Sequence, residues 1–130
     1  MSVAPGPWGE KPKHKLDPFN PVSPADWIQE PPPYDWIVEN CFLRGTVAML
    51  SGDGGLGKSL LMQQLCTAAA TGQAWLDLET KPCKAFAFFC EDDIDELRRR
   101  QAAINRHYGC RPSDLGGSVE YAPRVGMENI

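Results

Sequence analysis

The chain has 130 residues, 42% of them hydrophobic, enough for one domain of modest size with a real core. Its formal charge of −4 excludes a uniformly basic surface that coats nucleic acid, so any contact with DNA or RNA falls to a local loop. The N-terminus lacks an apolar h-region and no apolar run approaches the ~20 residues of a membrane helix, so no membrane partner is expected.

In chain order, the first segment is residues 1–33, which holds nine of the twelve prolines without any sustained period. Proline fixes φ and removes backbone donors, so this stretch reads as a largely extended or disordered tail, with Trp27 and Ile28 able to dock on the domain over 34–130. "TVAMLS", Thr46–Ser51, is a short apolar run of the kind buried on both faces of a sheet, and predicts the first strand. Gly52–Gly57 is a loop. Lys58–Thr71, apolar almost all round and rich in helix formers, predicts a buried helix ended by Gly72. "AFAFFC", Ala85–Cys90, predicts a second buried strand. Asp93-x-x-Glu96 has the spacing of a capping box, after which Ile94, Leu97, Gln101, Ile104 and Tyr108 share one helix face as far as Gly109. "SVEYAP", Ser118–Pro123, is a weaker third strand. Strand, helix, strand, helix, strand indicates an α/β fold with parallel pairing.

Five cysteines, Cys41, Cys66, Cys83, Cys90 and Cys110, are odd in number and contain no CxxC pair. Cys66 and Cys90 lie inside apolar runs, where a free thiol behaves as a small hydrophobe, so a reduced, cytoplasmic setting is expected rather than a disulfide framework or a zinc site.

Gly52-Asp53-Gly54-Gly55-Leu56-Gly57-Lys58-Ser59 matches GxxxxGK[ST] in full. Glycines let successive backbone N–H groups turn inward onto phosphate oxygens, and the helix that follows offers its positive end to the same anion. Lys58 is suited to the β and γ phosphates and the Ser59 hydroxyl to Mg²⁺; the phosphate-binding set is Gly52 to Leu60. The alternative is a glycine-rich turn that matches by chance, against which stand the strand predicted before it and the helix predicted after it.

Three consecutive acids, Glu91, Asp92 and Asp93, follow the second strand, where an open α/β sheet places its ligand crevice. Glu91, nearest the strand end, is the candidate to orient or deprotonate an attacking water, unless all three acids serve only to cap the next helix. Another reading puts Asp92 near Mg²⁺ as a Walker B aspartate. Arg98, Arg99 and Arg100 suit a solvated helix face paired with Asp95 and Glu96, with phosphate sensing or nucleic-acid contact as their other role. Tyr34 and Trp36 either stack on an adenine or pack against the domain. His14 and His107 have no partners at ligand spacing.

Together, "RGTVAMLSGDGGLGKSLLMQQLCTAAATGQAWL", "FFCEDDIDELRRRQAAI" and "PPPYDWIVEN" resemble the RecA-like AAA-family ATPases of the RepA hexameric helicase type. The resemblance runs from Pro31 to the C-terminus. It implies a P-loop NTPase with a RecA-like three-layer αβα fold and a mainly parallel sheet, ATP and Mg²⁺ as cofactors, a homo-oligomeric ring, and DNA as a partner in replication. Carried onto this sequence, Gly52, Gly57, Lys58 and Ser59 are the Walker A set, and Glu91 is the water-activating glutamate. The family's Walker B aspartate sits on a later strand, and no apolar run ending in Asp follows before Ile130, so a C-terminally truncated, N-terminal portion of such a domain is expected. Two other functions fit the same residues: a non-catalytic nucleotide-binding or docking fragment, and a small P-loop kinase with the arginine run as its lid.

Overall fold

The computed structural model describes residues 21–125. The chain divides into two units, Met1–Pro33 and Tyr34–Ile130. The extended tail expected over residues 1–33 therefore lies, up to position 20, outside the described residues. Within the first unit, Pro24–Asp26 makes one 3-10 turn, started by the Ser23 hydroxyl accepting from the Ala25 N–H at 3.3 Å, and Trp27 and Ile28 are exposed.

The second unit opens with a small antiparallel hairpin, β1 (Trp36–Val38) and β2 (Phe42–Leu43), that the sequence pattern did not predict. Its turn is made by Asn40 at φ 56°, a left-handed conformation that asparagine tolerates because its short amide can bond locally. Helix α1 (Lys58–Thr71) follows the glycine loop and has the predicted bounds. It ends at Gly72, whose φ of +67° puts its N–H on the Ala68 carbonyl. A Cβ at that position would lie 2.9 Å from Pro82 Cγ, so glycine is required both by conformation and by space. No residue of α1 is exposed, as its apolar circumference requires.

Strands β3 (Ala85–Phe89) and β4 (Val119–Pro123) pair in parallel, in register from Ala85 with Val119 to Phe89 with Pro123. Between them lies α2 (Ile94–Tyr108). Asp93 caps α2 by accepting from the Glu96 N–H at 2.8 Å, and Gly109 closes it in the left-handed region at φ 64°. Only this half of the capping box forms, because the Glu96 carboxylate is engaged by Arg99 and Arg100. Mixed helices and a small parallel sheet make this an α/β fold.

The core joins the hairpin to α1. Val38, Ala68 and Trp75 are buried together, with Ile37, Phe42, Leu61, Leu65, Leu78 and Tyr108 packed around them. The Trp75 indole N–H donates to the Leu61 carbonyl at 3.2 Å, so α1 is held from its second turn. A second, polar seam joins α1 to α2 and β4. Gln101 is its hub: its amide donates to Thr67 Oγ1 at 2.9 Å and Asn105 Oδ1 at 2.8 Å, and its oxygen accepts from Gln63 Nε2 at 3.0 Å and the Tyr121 hydroxyl at 2.8 Å. Gln63 and Thr67 are fully buried, and burial pushes the Tyr121 phenol well above its ordinary range.

Two expectations are corrected. Thr46–Ser51 forms no strand: it has no pairing partner among the described residues, and Val47 and Met49 are exposed. A strand buried on both faces needs a pairing neighbour in the sheet and a packed layer over each face, and here β3 is paired by β4 alone within a two-stranded sheet. The expected three layers are likewise not complete among the described residues. Ala85, Ala87 and Phe89 face inward, while Phe86 and Phe88, on the opposite face of β3, are exposed. No helix among the described residues is long and apolar enough to cross a membrane.

Candidate functional site

The glycine loop reaches α1 through Gly57, which adopts φ 84° and so requires glycine. Gly57 is also the N-cap of α1 and supplies no side-chain bond to its first turn. Gly55 is likewise left-handed, at φ 78°, and a Cβ on Gly54 would meet open space. Leu56 lies over Gly52, where a Cβ would come within 3.2 Å of Leu56 Cδ1. Apart from the loose turn at Gly54–Gly55, the backbone N–H groups from Gly52 through Leu60 make no close hydrogen bond to another described residue. Backbone donors left free at a helix N-terminus, beside glycines, make an anion cradle.

Lys58, the first residue of α1, folds back across this loop. Its ammonium donates to the Gly52 carbonyl at 2.7 Å and the Asp53 carbonyl at 2.6 Å. An ammonium has three donors, so one is left for an anion oxygen while the other two fix the loop. Gly52, Leu56, Gly57, Lys58 and Leu60 border a cavity of about 410 Å³. Lys58 and Ser59 also border a second cavity of about 460 Å³ with Met62, Phe88 and the turn after β3, including Glu91 and Asp92. The Ser59 hydroxyl makes no hydrogen bond to another described residue, so it is available to a ligand. The residues predicted from the loop and from the acidic strand end thus share one cavity.

The three acids differ in what they do. Asp93 is the α2 cap. Asp92 receives both ends of the Arg100 guanidinium, each at 2.9 Å, in a fork-to-fork pair that is largely shielded from solvent. The hydrogen bonds from Arg100 to Asp92 hold the guanidinium above its already high range. Glu91 is exposed and makes no hydrogen bond or ion pair to another described residue. It is therefore the one carboxylate of the three free to act on a ligand. Both Asp92 oxygens are taken by Arg100, and no cluster of three His, Cys, Asp or Glu suited to a metal ion occurs among the described residues.

A family model described as an AAA domain matches residues 12–127 of the chain. The chain belongs to the AAA domain family. No solved structure matches it. Membership makes this an AAA-type, nucleotide-binding P-loop ATPase domain, a family that generally uses ATP and Mg²⁺. In this AAA domain the arginine run divides. Arg98 and Arg99 lie on the solvated face, with Asp95 at 3.7 Å and Glu96 at 3.3 Å, whereas Arg100 turns inward to Asp92. Sequence spacing alone pairs Arg100 with Glu96 four residues earlier; the contact with Asp92 crosses from the turn before the helix and has no periodic signal. Tyr34 and Trp36 pack on each other, ring centroids 5.5 Å apart, and His107 packs against Tyr108 at the end of α2.

Proposed function

We propose that this AAA domain binds ATP with Mg²⁺ through Gly52 to Leu60 and hydrolyses it, as the RecA-like ATPase module of a RepA-type helicase that works as a homo-oligomeric ring on DNA. The observation that carries the reading is the one cavity that Lys58, Ser59 and Glu91 line together. The site fits the nucleotide: free amides and an uncapped helix end suit an anion, and the unpartnered Ser59 hydroxyl suits a hard cation. ATP with Mg²⁺ brings the transferable phosphoryl group and the divalent charge. Lys58 supplies its remaining donor to a phosphate oxygen, and the amides of Gly52 to Gly57 share the negative charge. Glu91 orients a water and takes its proton, for which an unpaired carboxylate at a strand end is suited.

Replacement of Glu91 by Gln tests the catalytic half of this reading. The variant keeps MgATP affinity within about twofold of wild type, while turnover falls by about 10²-fold or more. Unchanged turnover removes Glu91 from the mechanism. A second reading, a nucleotide-binding or docking fragment without turnover, draws on the unpaired, exposed segment Thr46–Ser51. It predicts MgATP binding with no phosphate release in the wild-type chain. A kinase role has less to support it, since Arg98, Arg99 and Arg100 are each paired with an acid.

A further inference from the structure

We propose that Arg100 and Asp92 form a positioning pair that holds the turn after β3 so that Glu91 faces Lys58 and Ser59. This rests on the assignment of Glu91 as the water-activating carboxylate. The turn from Cys90 to Asp93 has little of its own to fix it. None of its backbone N–H groups donates to a backbone acceptor among the described residues, and Glu91 itself has no side-chain partner there. Its ties to α2 are made by Asp93, whose side chain caps the helix and whose carbonyl accepts from the Leu97 N–H at 3.1 Å, and by Asp92, whose two oxygens are gripped by Arg100 two turns into the same helix. Arg100 is itself held in plane by a third bond, from its Nε to Glu96 Oε1 at 3.0 Å.

A planar guanidinium bonded on both edges fixes distance and direction together, which one ammonium cannot do. Only about a quarter of the Arg100 side chain is exposed (23%), against 70–78% for Arg99 and Arg98, so this pair is far less screened than its neighbours. With both Asp92 oxygens bonded to Arg100 and Asp93 capping the helix, Glu91 is the carboxylate of the turn left unpaired at the cavity. Arg100 touches neither cavity wall and is a positioning residue, not a catalytic one.

The test uses the full chain, with Arg100→Met, Arg100→Lys and Asp92→Asn as variants and Arg98→Met as a control that removes equal charge from the exposed face. Two readouts are taken: amide order at Glu91 and Asp92 by NMR relaxation, and MgATP affinity against turnover. Arg100→Met lowers the order parameter of both amides from about 0.85 toward 0.6 or below. Turnover falls about 10²-fold, the cost of a misplaced catalytic group, while affinity for MgATP stays within about threefold. Asp92→Asn behaves alike, Arg100→Lys recovers part of both losses, and Arg98→Met changes neither. Unchanged order at Glu91 in Arg100→Met overturns the proposal, as does a loss of affinity equal to the loss of turnover. If the wild-type chain shows no turnover, the hydrolytic reading fails by itself, and the order parameters still decide whether Arg100 fixes the turn.

Discussion

Replacing Gln101 by Met keeps most of the side-chain volume and removes all four of its hydrogen bonds, a direct probe of the polar seam between α1, α2 and β4. The partners are left unequally placed. Thr67 Oγ1 still donates to the Gln63 carbonyl at 3.2 Å, Gln63 Nε2 still reaches the Leu97 carbonyl at 2.9 Å, and Asn105 Oδ1 keeps the Cys110 thiol at 3.5 Å. Tyr121 depends on it most, since its hydroxyl donates to Gln101 at 2.8 Å and keeps only a weaker interaction with Thr67. Loss of the principal partner of this half-buried hydroxyl costs about 1–2 kcal/mol, and the weakened remainder adds about 1 kcal/mol, so the variant loses about 2–3 kcal/mol. That is a large share of the roughly 5–15 kcal/mol that a domain of this size has. Urea unfolding followed by tryptophan fluorescence reads the loss as a midpoint lower by about 1–2 M. The double variant Gln101→Met with Tyr121→Phe removes the weakened hydroxyl as well and is less destabilised than the two single losses added together, by about 1 kcal/mol. A Gln101→Met variant within about 0.5 kcal/mol of wild type refutes the reasoning, because a seam that bears no stability would tolerate the change.

Gly72→Ala combines a left-handed φ with a Cβ pressed on Pro82 and costs about 2–3 kcal/mol, seen as a lower thermal midpoint; an unchanged midpoint would mean the turn relaxes freely. Burial, with a smaller contribution from neighbouring Cys83, pushes the Cys66 thiol up to about 11. At pH 8 only about 0.1% of it is thiolate, so iodoacetamide labels exposed Cys41 and Cys90 well before Cys66, a sequence that peptide mass spectrometry records. The half-buried Tyr121 phenol is raised in the same sense, chiefly by desolvation. Above pH 9 the unfolded chain therefore gives up protons that the folded one keeps, so stability is full below pH 9 and falls as pH rises toward 11, by up to about 3 kcal/mol from Cys66 alone. Denaturant unfolding at pH 8 and pH 10 checks the sign, and greater stability at pH 10 would contradict it.

The helices were legible because their ends are written locally. Gly72, Asp93 and Gly109 each act through a hydrogen bond within four residues, and α1 and α2 begin and end where those residues say. Strands β3 and β4 were legible to within a residue because their apolar content is local, and their parallel pairing followed from the helix between them. Thr46–Ser51 was misread for the opposite reason, since its composition reports a preference for neighbours and not their presence. Phe86 and Phe88 were expected to be buried, and the one-sided cover of β3 leaves them exposed. The hairpin β1–β2 escaped because three- and two-residue strands are too short to carry a period, leaving only Asn40 as a signal. At the candidate site, glycine spacing marked the loop as a phosphate cradle and the strand end marked Glu91 as the candidate carboxylate, and the structure brings Lys58, Ser59 and Glu91 to one cavity. The division of labour among Glu91, Asp92 and Asp93 was not legible, because it depends on Arg100 reaching back eight residues from α2.

The central claim is that Gly52 to Leu60 hold the phosphates of ATP with Lys58 at their centre. Calorimetric titration of MgATP into the wild-type chain and Lys58→Ala tests it most directly, with circular dichroism to establish that the variant is folded. Loss of one charge-assisted hydrogen bond, worth about 1.5–3 kcal/mol, predicts affinity weaker by about 10- to 100-fold. Equal affinity in the folded variant would contradict the assignment of this loop as the nucleotide site.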